Sequence, residues 1–129
     1  MILDTSFIID LLRSDNGAVK KAEELQKSSE LLLTTTITVF EIWQGTMDIK
    51  NDKKRTAISE LLQSLGLLVL DFDSAKKAGE IHSRLIKKGE EIDPEDSMIA
   101  GISITRGERL LTRNIEHFKR IGELRVESY

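Results

Sequence analysis

Five short, mostly apolar runs set the strongest constraint on what this 129-residue chain can fold into. They are MILD at the start, ELLLT near residues 30 to 34, LLVL at 67 to 70, RLLT at 109 to 112 and RVES at 125 to 128. The runs are continuous rather than alternating, the pattern of strands buried on both faces. Between them TSFIIDLL, GAVKKAEELQKS, TVFEIWQGTM, KRTAISELLQSL, SAKKAGEIHSRLIKK and PEDSMIAGISIT carry a helical period. Strands alternating with helices specify an α/β fold: a doubly wound domain whose central parallel sheet of about five strands is flanked by helices.

Residues 35 to 66 contain no strand signal and are expected to hold two helices packed as a pair, broken near MDIKND. No linker, repeat or low-complexity stretch divides the chain. Residues 1–129 therefore form a single domain, long enough to bury roughly two thirds of its unfolded surface. The absence of cysteine excludes disulfides, thiolate metal sites and a cysteine nucleophile, and suits a reducing compartment. No basic region precedes an apolar stretch at the start, and no apolar run approaches the ~20 residues that span a bilayer. The expectation is a cytoplasmic protein with no membrane association.

Asp and Glu total 22 against 19 Lys and Arg, a formal net charge of -3. Whole-molecule charge gives no attraction to nucleic acid. A polyanion would have to be met by a local basic patch or by metal ions held in an acidic pocket. In open α/β sheets ligands bind outside the carboxyl ends of the strands, so residues just after a strand are the ones to inspect. Asp4 closes the first run, and Glu41 is expected in the first turn of the helix after the second. Asp93 and Asp96 open the helix in EIDPEDSMIAG, and the turn after RLLT carries Arg113, Asn114, Glu116 and His117.

Some of these acids also fit purely structural roles. Thr38 with Glu41, and Asp93 with Asp96, match the capping box, and Pro94 suits a first helical position. Asp4 is different, since Thr5 or Ser6 can cap the helix that follows. A carboxylate left there beside apolar surface must be solvated, paired or bound. Carboxylates brought together repel and raise one another's pKa unless a cation lies between them. Converging oxygen donors without Cys or His suit Mg²⁺ or Mn²⁺ better than zinc. The matching chemistry is phosphodiester hydrolysis, in which the metal activates water and offsets developing charge.

In combination MILDTSFIIDLL, TVFEIWQG, DPEDSMIAGISI and RLLTRNIEHFKRI resemble the PIN-domain ribonucleases and, among them, the VapC toxins of toxin-antitoxin pairs. The resemblance covers the whole chain. It implies a parallel sheet flanked by helices and a metal-dependent endoribonuclease with Asp4, Glu41 and Asp96 as catalytic, metal-binding acids. Asp93 is a neighbouring acid, and Thr5 and Ser6 are polar support. Many members carry a fourth acid where this chain has Asn114, and the resemblance implies Asn114 as the fourth metal-binding residue there, with Glu116 or His117 as substitutes nearby. The resemblance further implies Mg²⁺ or Mn²⁺ as cofactor, RNA as substrate, a cognate antitoxin as partner and a homodimer.

Arg113 is the first candidate for RNA contact, followed by Lys53, Lys54, Arg55, Arg106 and Arg109. Phe7 or Leu11 in the apolar first helix is expected to need a cover from outside the chain. Trp43 is read as core, although it suits a partner groove, and Met47 and Met98 are read as core at helical spacing. His82 is read as a partly buried packing residue. Ser6, Ser97 and Ser103 lack the His and acid arrangement of a nucleophile. A phosphatase is disfavoured because DTS lacks a second acid two residues after Asp4. A non-catalytic PIN-like binding module with an incomplete metal site is the other reading, favoured by Asn114.

Overall fold

The computed structural model describes residues 1–129. Its strands are short: β1 (Ile2–Leu3), β2 (Leu33–Thr35), β3 (Gly66–Leu68), β4 (Leu110–Leu111) and β5 (Val126–Glu127). They form one sheet in the order β3-β2-β1-β4-β5, with every pairing parallel. Seven helices cover it: α1 (Thr5–Leu12), α2 (Asn16–Lys27), α3 (Thr36–Thr46), α4 (Asp52–Ser64), α5 (Phe72–Lys87), α6 (Pro94–Arg106) and the single turn α7 (Ile115–Phe118). The expected sheet and the six longer helices are present. α7 is too short to show a period and is absent from the sequence reading.

The continuous apolar runs have a direct physical cause. Side chains alternate across a strand, and here both faces are buried in separate cores. Ile2 and Leu110 enter one core with Ile81, Leu85, Ile99 and Phe118 from α5, α6 and α7. Leu3 and Leu111 enter the other with Phe7, Ile8, Leu25, Ile42 and Ile58 from α1, α2, α3 and α4. The edge strand β3 has one neighbour, and its Leu67 is correspondingly half exposed.

Several expectations change. β2 begins at Leu33 rather than Glu30, and Leu31 lies on the surface. α3 and α4 are both present and share the core through Ile42, Ile58 and Leu62, and α3 also packs on α1 and α6. Phe7 needs no outside cover, because the Tyr129 ring meets it edge-on at 4.9 Å and leaves it buried. Trp43 and Met47 are not core: Trp43 lies with Phe40 on an exposed face of α3 and Met47 follows at its C-cap, 53% exposed. Met98 is half-buried. No helix is long and apolar enough to cross a membrane.

Candidate active site

The chain moves from β1 outward through β2 and β3, then returns to place β4 on the other side of β1. The carboxyl ends of β1 and β4 therefore flank the point where strand order reverses, the place where open α/β sheets bind ligands. Asp4 leaves β1 there and Thr112 leaves β4 beside it.

Asp4 is 2% exposed and stands at the N-cap position of α1, yet its side chain makes no cap bond. One of its oxygens, Oδ2, instead accepts hydroxyl bonds from Thr112 Oγ1 at 2.6 Å and Ser6 Oγ at 3.0 Å. Each hydroxyl accepts in turn from the loop after β4: Arg113 N–H donates to Ser6 Oγ and Asn114 N–H to Thr112 Oγ1. No side-chain donor reaches Oδ1. Burial raises the Asp4 pKa above its usual value, and the hydroxyl bonds from Thr112 and Ser6 lessen that rise.

Glu41 lies in the second turn of α3 rather than the first, because Thr35 is the N-cap and accepts from Thr38 N–H. The expected Thr38–Glu41 box therefore does not form. Glu41 Oε1 accepts from Thr5 Oγ1 at 2.8 Å, which ties α3 to α1. Burial raises its pKa, opposed by the Thr5 bond and reinforced by Asp4, Glu95 and Asp93. Asp93 is the N-cap of α6 with Pro94 at the first position, but it makes no side-chain cap bond, so the Asp93–Asp96 box is also unmade. Asp96, in the first turn of α6, has its pKa raised to about 7 by burial and by Asp4, Glu41, Asp93 and Glu95.

Asp4, Glu41, Asp93 and Asp96 thus act on one another electrostatically from three separate segments. No Lys or Arg side chain lies within ion-pair distance of any of the four; the nearest cation-forming group is His117 Nδ1, 3.9 Å from Asp96 Oδ2. Their side chains do not form a ready-made cage of three or more ligands. Asn114 caps α7 and is held through its backbone N–H. Glu116 is turned outward onto Lys119 at 2.5 Å and takes no part in the cluster.

The basic residues named from the sequence are mostly engaged elsewhere. Arg55 pairs with Asp52, Arg106 with Asp71, and Arg109 with Glu30 and Glu127. Arg113 pairs with Asp10 at 2.5 Å. His82 does more than pack, since its Nδ1 lies 2.9 Å from the buried Ser97 Oγ. No acid hydrogen-bonds the ring, so a nucleophilic triad is not formed.

Sequence reasoning missed Thr112 and Asp10. Thr112 stood inside a strand run, where a threonine is an ordinary β-former, and Asp10 read as the polar side of a helix.

A family model described as the PIN domain matches residues 1–124. This chain belongs to the PIN-domain family. Among PIN-domain relatives it is 28% identical over 130 residues to the tRNA(fMet)-specific endonuclease VapC of Shigella flexneri, covering 99% of this chain and 96% of that protein. The VapBC complex of Salmonella typhimurium bound to DNA contains a chain that is 26% identical, with a TM-score of 0.84 over 98% of this chain and 96% of that one. A chain of the Rickettsia felis VapBC2 complex with a promoter DNA fragment superposes with a TM-score of 0.87 at 24% identity, covering 99% and 97% of the two chains, and shows the shared fold. The PIN domain thus accounts for the five-stranded parallel sheet and its flanking helices.

Proposed function

We propose that this PIN-domain protein is a metal-dependent endoribonuclease, the toxin of a toxin-antitoxin pair, hydrolysing RNA phosphodiester bonds at the site built around Asp4. The observation that carries the reading is the buried Asp4 carboxylate at the strand-order switch point. Its Oδ2 is held by two hydroxyls, while its charge bears on Glu41 and Asp96, and none of the three acids has a Lys or Arg partner. The ribonuclease names of its relatives support it.

The donor chemistry fits a hard divalent ion. The carboxylate donors are all oxygens and disfavour one another's charge, a penalty that a cation removes, and His117 Nδ1 beside Asp96 is the one side-chain nitrogen within ion-pair distance. Asp4, Glu41 and Asp96 would hold Mg²⁺ or Mn²⁺, with the Asn114 amide as a further oxygen donor. When bound, the ion would supply a stronger water nucleophile and offset charge on the phosphoryl group. The chain's own residues prepare the site. Ser6 and Thr112 fix the Asp4 carboxylate through Oδ2, and Thr5 fixes Glu41. His117, 61% exposed beside Asp96, stands where substrate can meet it. Asp93 adds negative charge at the mouth.

The partner reading has surface support. A groove of about 270 Å³ lined by Ile9, Leu12, Ile42, Ile49 and Ile58 opens beside Glu41, and Phe40, Trp43 and Met47 stand exposed on α3 and its C-cap. Apolar surface of this kind suits a cognate antitoxin and a homodimer contact. The VapBC complexes among the structural neighbours agree with such a partner. Asn114, where the resemblance expects an acid, favours a second reading as a non-catalytic module.

The deciding experiment is cleavage of a mixed RNA pool by the purified protein and by Asp4→Asn, each with Mg²⁺, Mn²⁺ or EDTA. Cutting that needs both metal and Asp4 is the expected result. A folded protein that neither cuts nor binds Mn²⁺ would leave the binding-module reading.

A further inference from the structure

Asp10 is a buried carboxylate that the acid cluster does not use. It lies on α1 four residues beyond Ser6 and is 7% exposed. Both of its oxygens are engaged: Oδ1 accepts from Arg113 Nη1 at 2.5 Å, and Oδ2 accepts from the Tyr129 hydroxyl at 2.6 Å. A carboxylate is costly to bury unless it is paired and fully hydrogen-bonded, so this arrangement fixes the position of its cation.

That cation begins beside the active site. Arg113 follows Thr112, which bonds Asp4, and Arg113's own N–H donates to Ser6 Oγ, which also bonds Asp4. Unscreened carboxylates attract a nearby guanidinium. Even so, Asp4, Glu41 and Asp96 have no arginine partner, and Arg113 is turned to Asp10. Its side chain is 55% exposed. Nη1 is tied to Asp10, which leaves the other donors of a half-exposed planar fork without a protein partner, and such a fork matches phosphate oxygens.

We propose that Asp10 and Tyr129 are positioning residues that hold the Arg113 guanidinium on the α1 side of the site, off the metal-binding acids and open to an RNA phosphate. This assignment rests on the nuclease reading above. Asp10 supplies the competing carboxylate and Tyr129 fixes Asp10, so the acids stay free for a cation and the arginine stays free for the substrate backbone.

The test combines Mn²⁺ titration without RNA and fluorescence anisotropy of a single-stranded RNA in EDTA, on the wild type, Arg113→Ala, Asp10→Asn, Tyr129→Phe and the double variant Asp10→Asn/Arg113→Ala. Arg113→Ala is expected to keep wild-type Mn²⁺ affinity, to bind RNA several-fold more weakly and to lose about one from the salt slope of binding. Asp10→Asn is expected to weaken Mn²⁺ several-fold, because the released guanidinium turns onto the acids, and the double variant is expected to regain wild-type Mn²⁺ affinity. Tyr129→Phe keeps the ring on Phe7 and is expected to show the Mn²⁺ loss at smaller size; no change there would remove Tyr129 from the assignment. A merely structural Asp10 would weaken Mn²⁺ binding in both the single and double variants, and that result overturns the proposal. So does unchanged Mn²⁺ affinity in Asp10→Asn, or unchanged RNA binding in Arg113→Ala. A wild-type protein that binds no Mn²⁺ overturns the nuclease reading and this inference together, whereas the variant outcomes overturn the inference alone.

Discussion

Thr112 Oγ1 donates a 2.6 Å hydrogen bond to Asp4 Oδ2, joining residues 108 positions apart across the junction of β1 and β4. Ser6 repeats the pattern, so two parallel relays run from loop N–H to hydroxyl to carboxylate. The loop after β4 and the acid at the end of β1 are therefore one unit. Removing a group that orients a metal ligand typically costs about 10–100-fold in affinity or activity. Thr112→Val is expected to reduce Mn²⁺ affinity and cleavage within that range while the fold is kept. Wild-type values for both in a folded Thr112→Val protein would show that the relay has no role in the site.

Asp4→Asn separates site from scaffold. Asn keeps an oxygen acceptor for Ser6 and Thr112 and removes a charge that burial disfavours. The variant is expected to lose Mn²⁺ binding and cleavage while melting, in EDTA, no lower than the wild type. Unfolding of Asp4→Asn seen by circular dichroism would make Asp4 a structural residue.

The pH dependence follows from Asp96, held at about 7 against an ordinary value of 3.8. Between these values the folded, metal-free protein carries a proton on Asp96 that the unfolded chain has lost, so the contribution of Asp96 to stability is full below about pH 3.8 and is lost as pH rises toward about 7. Asp4 and Glu41, both raised, act in the same direction. The Tm in EDTA is expected to decline from about pH 4 to about pH 7, over which Mn²⁺ affinity rises because binding needs the ionised carboxylates. A Tm in EDTA that climbs across this interval would contradict the assignment.

Gly101 sets the distance between α5 and α6. A Cβ there would stand 2.5 Å from the Ser74 carbonyl oxygen and 2.8 Å from the Ala78 nitrogen, both backbone atoms. Overpacking of this kind typically costs about 1–3 kcal/mol. Gly101→Ala is expected to lose that much in urea unfolding and to weaken Mn²⁺ binding, because α6 carries Asp96. An unchanged midpoint would show that the helices can part without cost.

The exposed Phe40, Trp43 and Met47 lead to an expectation for assembly. Light scattering at micromolar concentration is expected to give the mass of two chains, and a single-chain mass would contradict the homodimer.

The fold was legible in the sequence because its physical cause is local. Ile2, Leu3, Leu110 and Leu111 must be apolar on both faces once helices cover both sides of the sheet, and this leaves a continuous run. Asp4 was legible for a related reason, since a residue that directly follows a strand is delivered to the ligand-binding edge of a parallel sheet; Glu41, in the second turn of α3, and Asp96, on a helix that follows α5 rather than a strand, were named on their motifs. Asp4, Glu41 and Asp96 could be named, but not the bonds they make. Whether Thr38 caps its helix depended on where α3 begins, which neighbouring segments decide by a residue or two, whereas Asp93 stands at the expected N-cap of α6 and still makes no side-chain cap bond.

The sequence by itself determined the layer architecture, the switch-point edge and the place of Asp4 on it, because period and strand-end position are written into consecutive residues. Tertiary structure alone decided which groups meet across long separations. Thr112 on Asp4, Asp10 between Arg113 and Tyr129, and Tyr129 over Phe7 join segments about a hundred residues apart. Nothing in the neighbouring residues favours one such partner over another until the sheet has closed and buried polar groups must be satisfied where they stand.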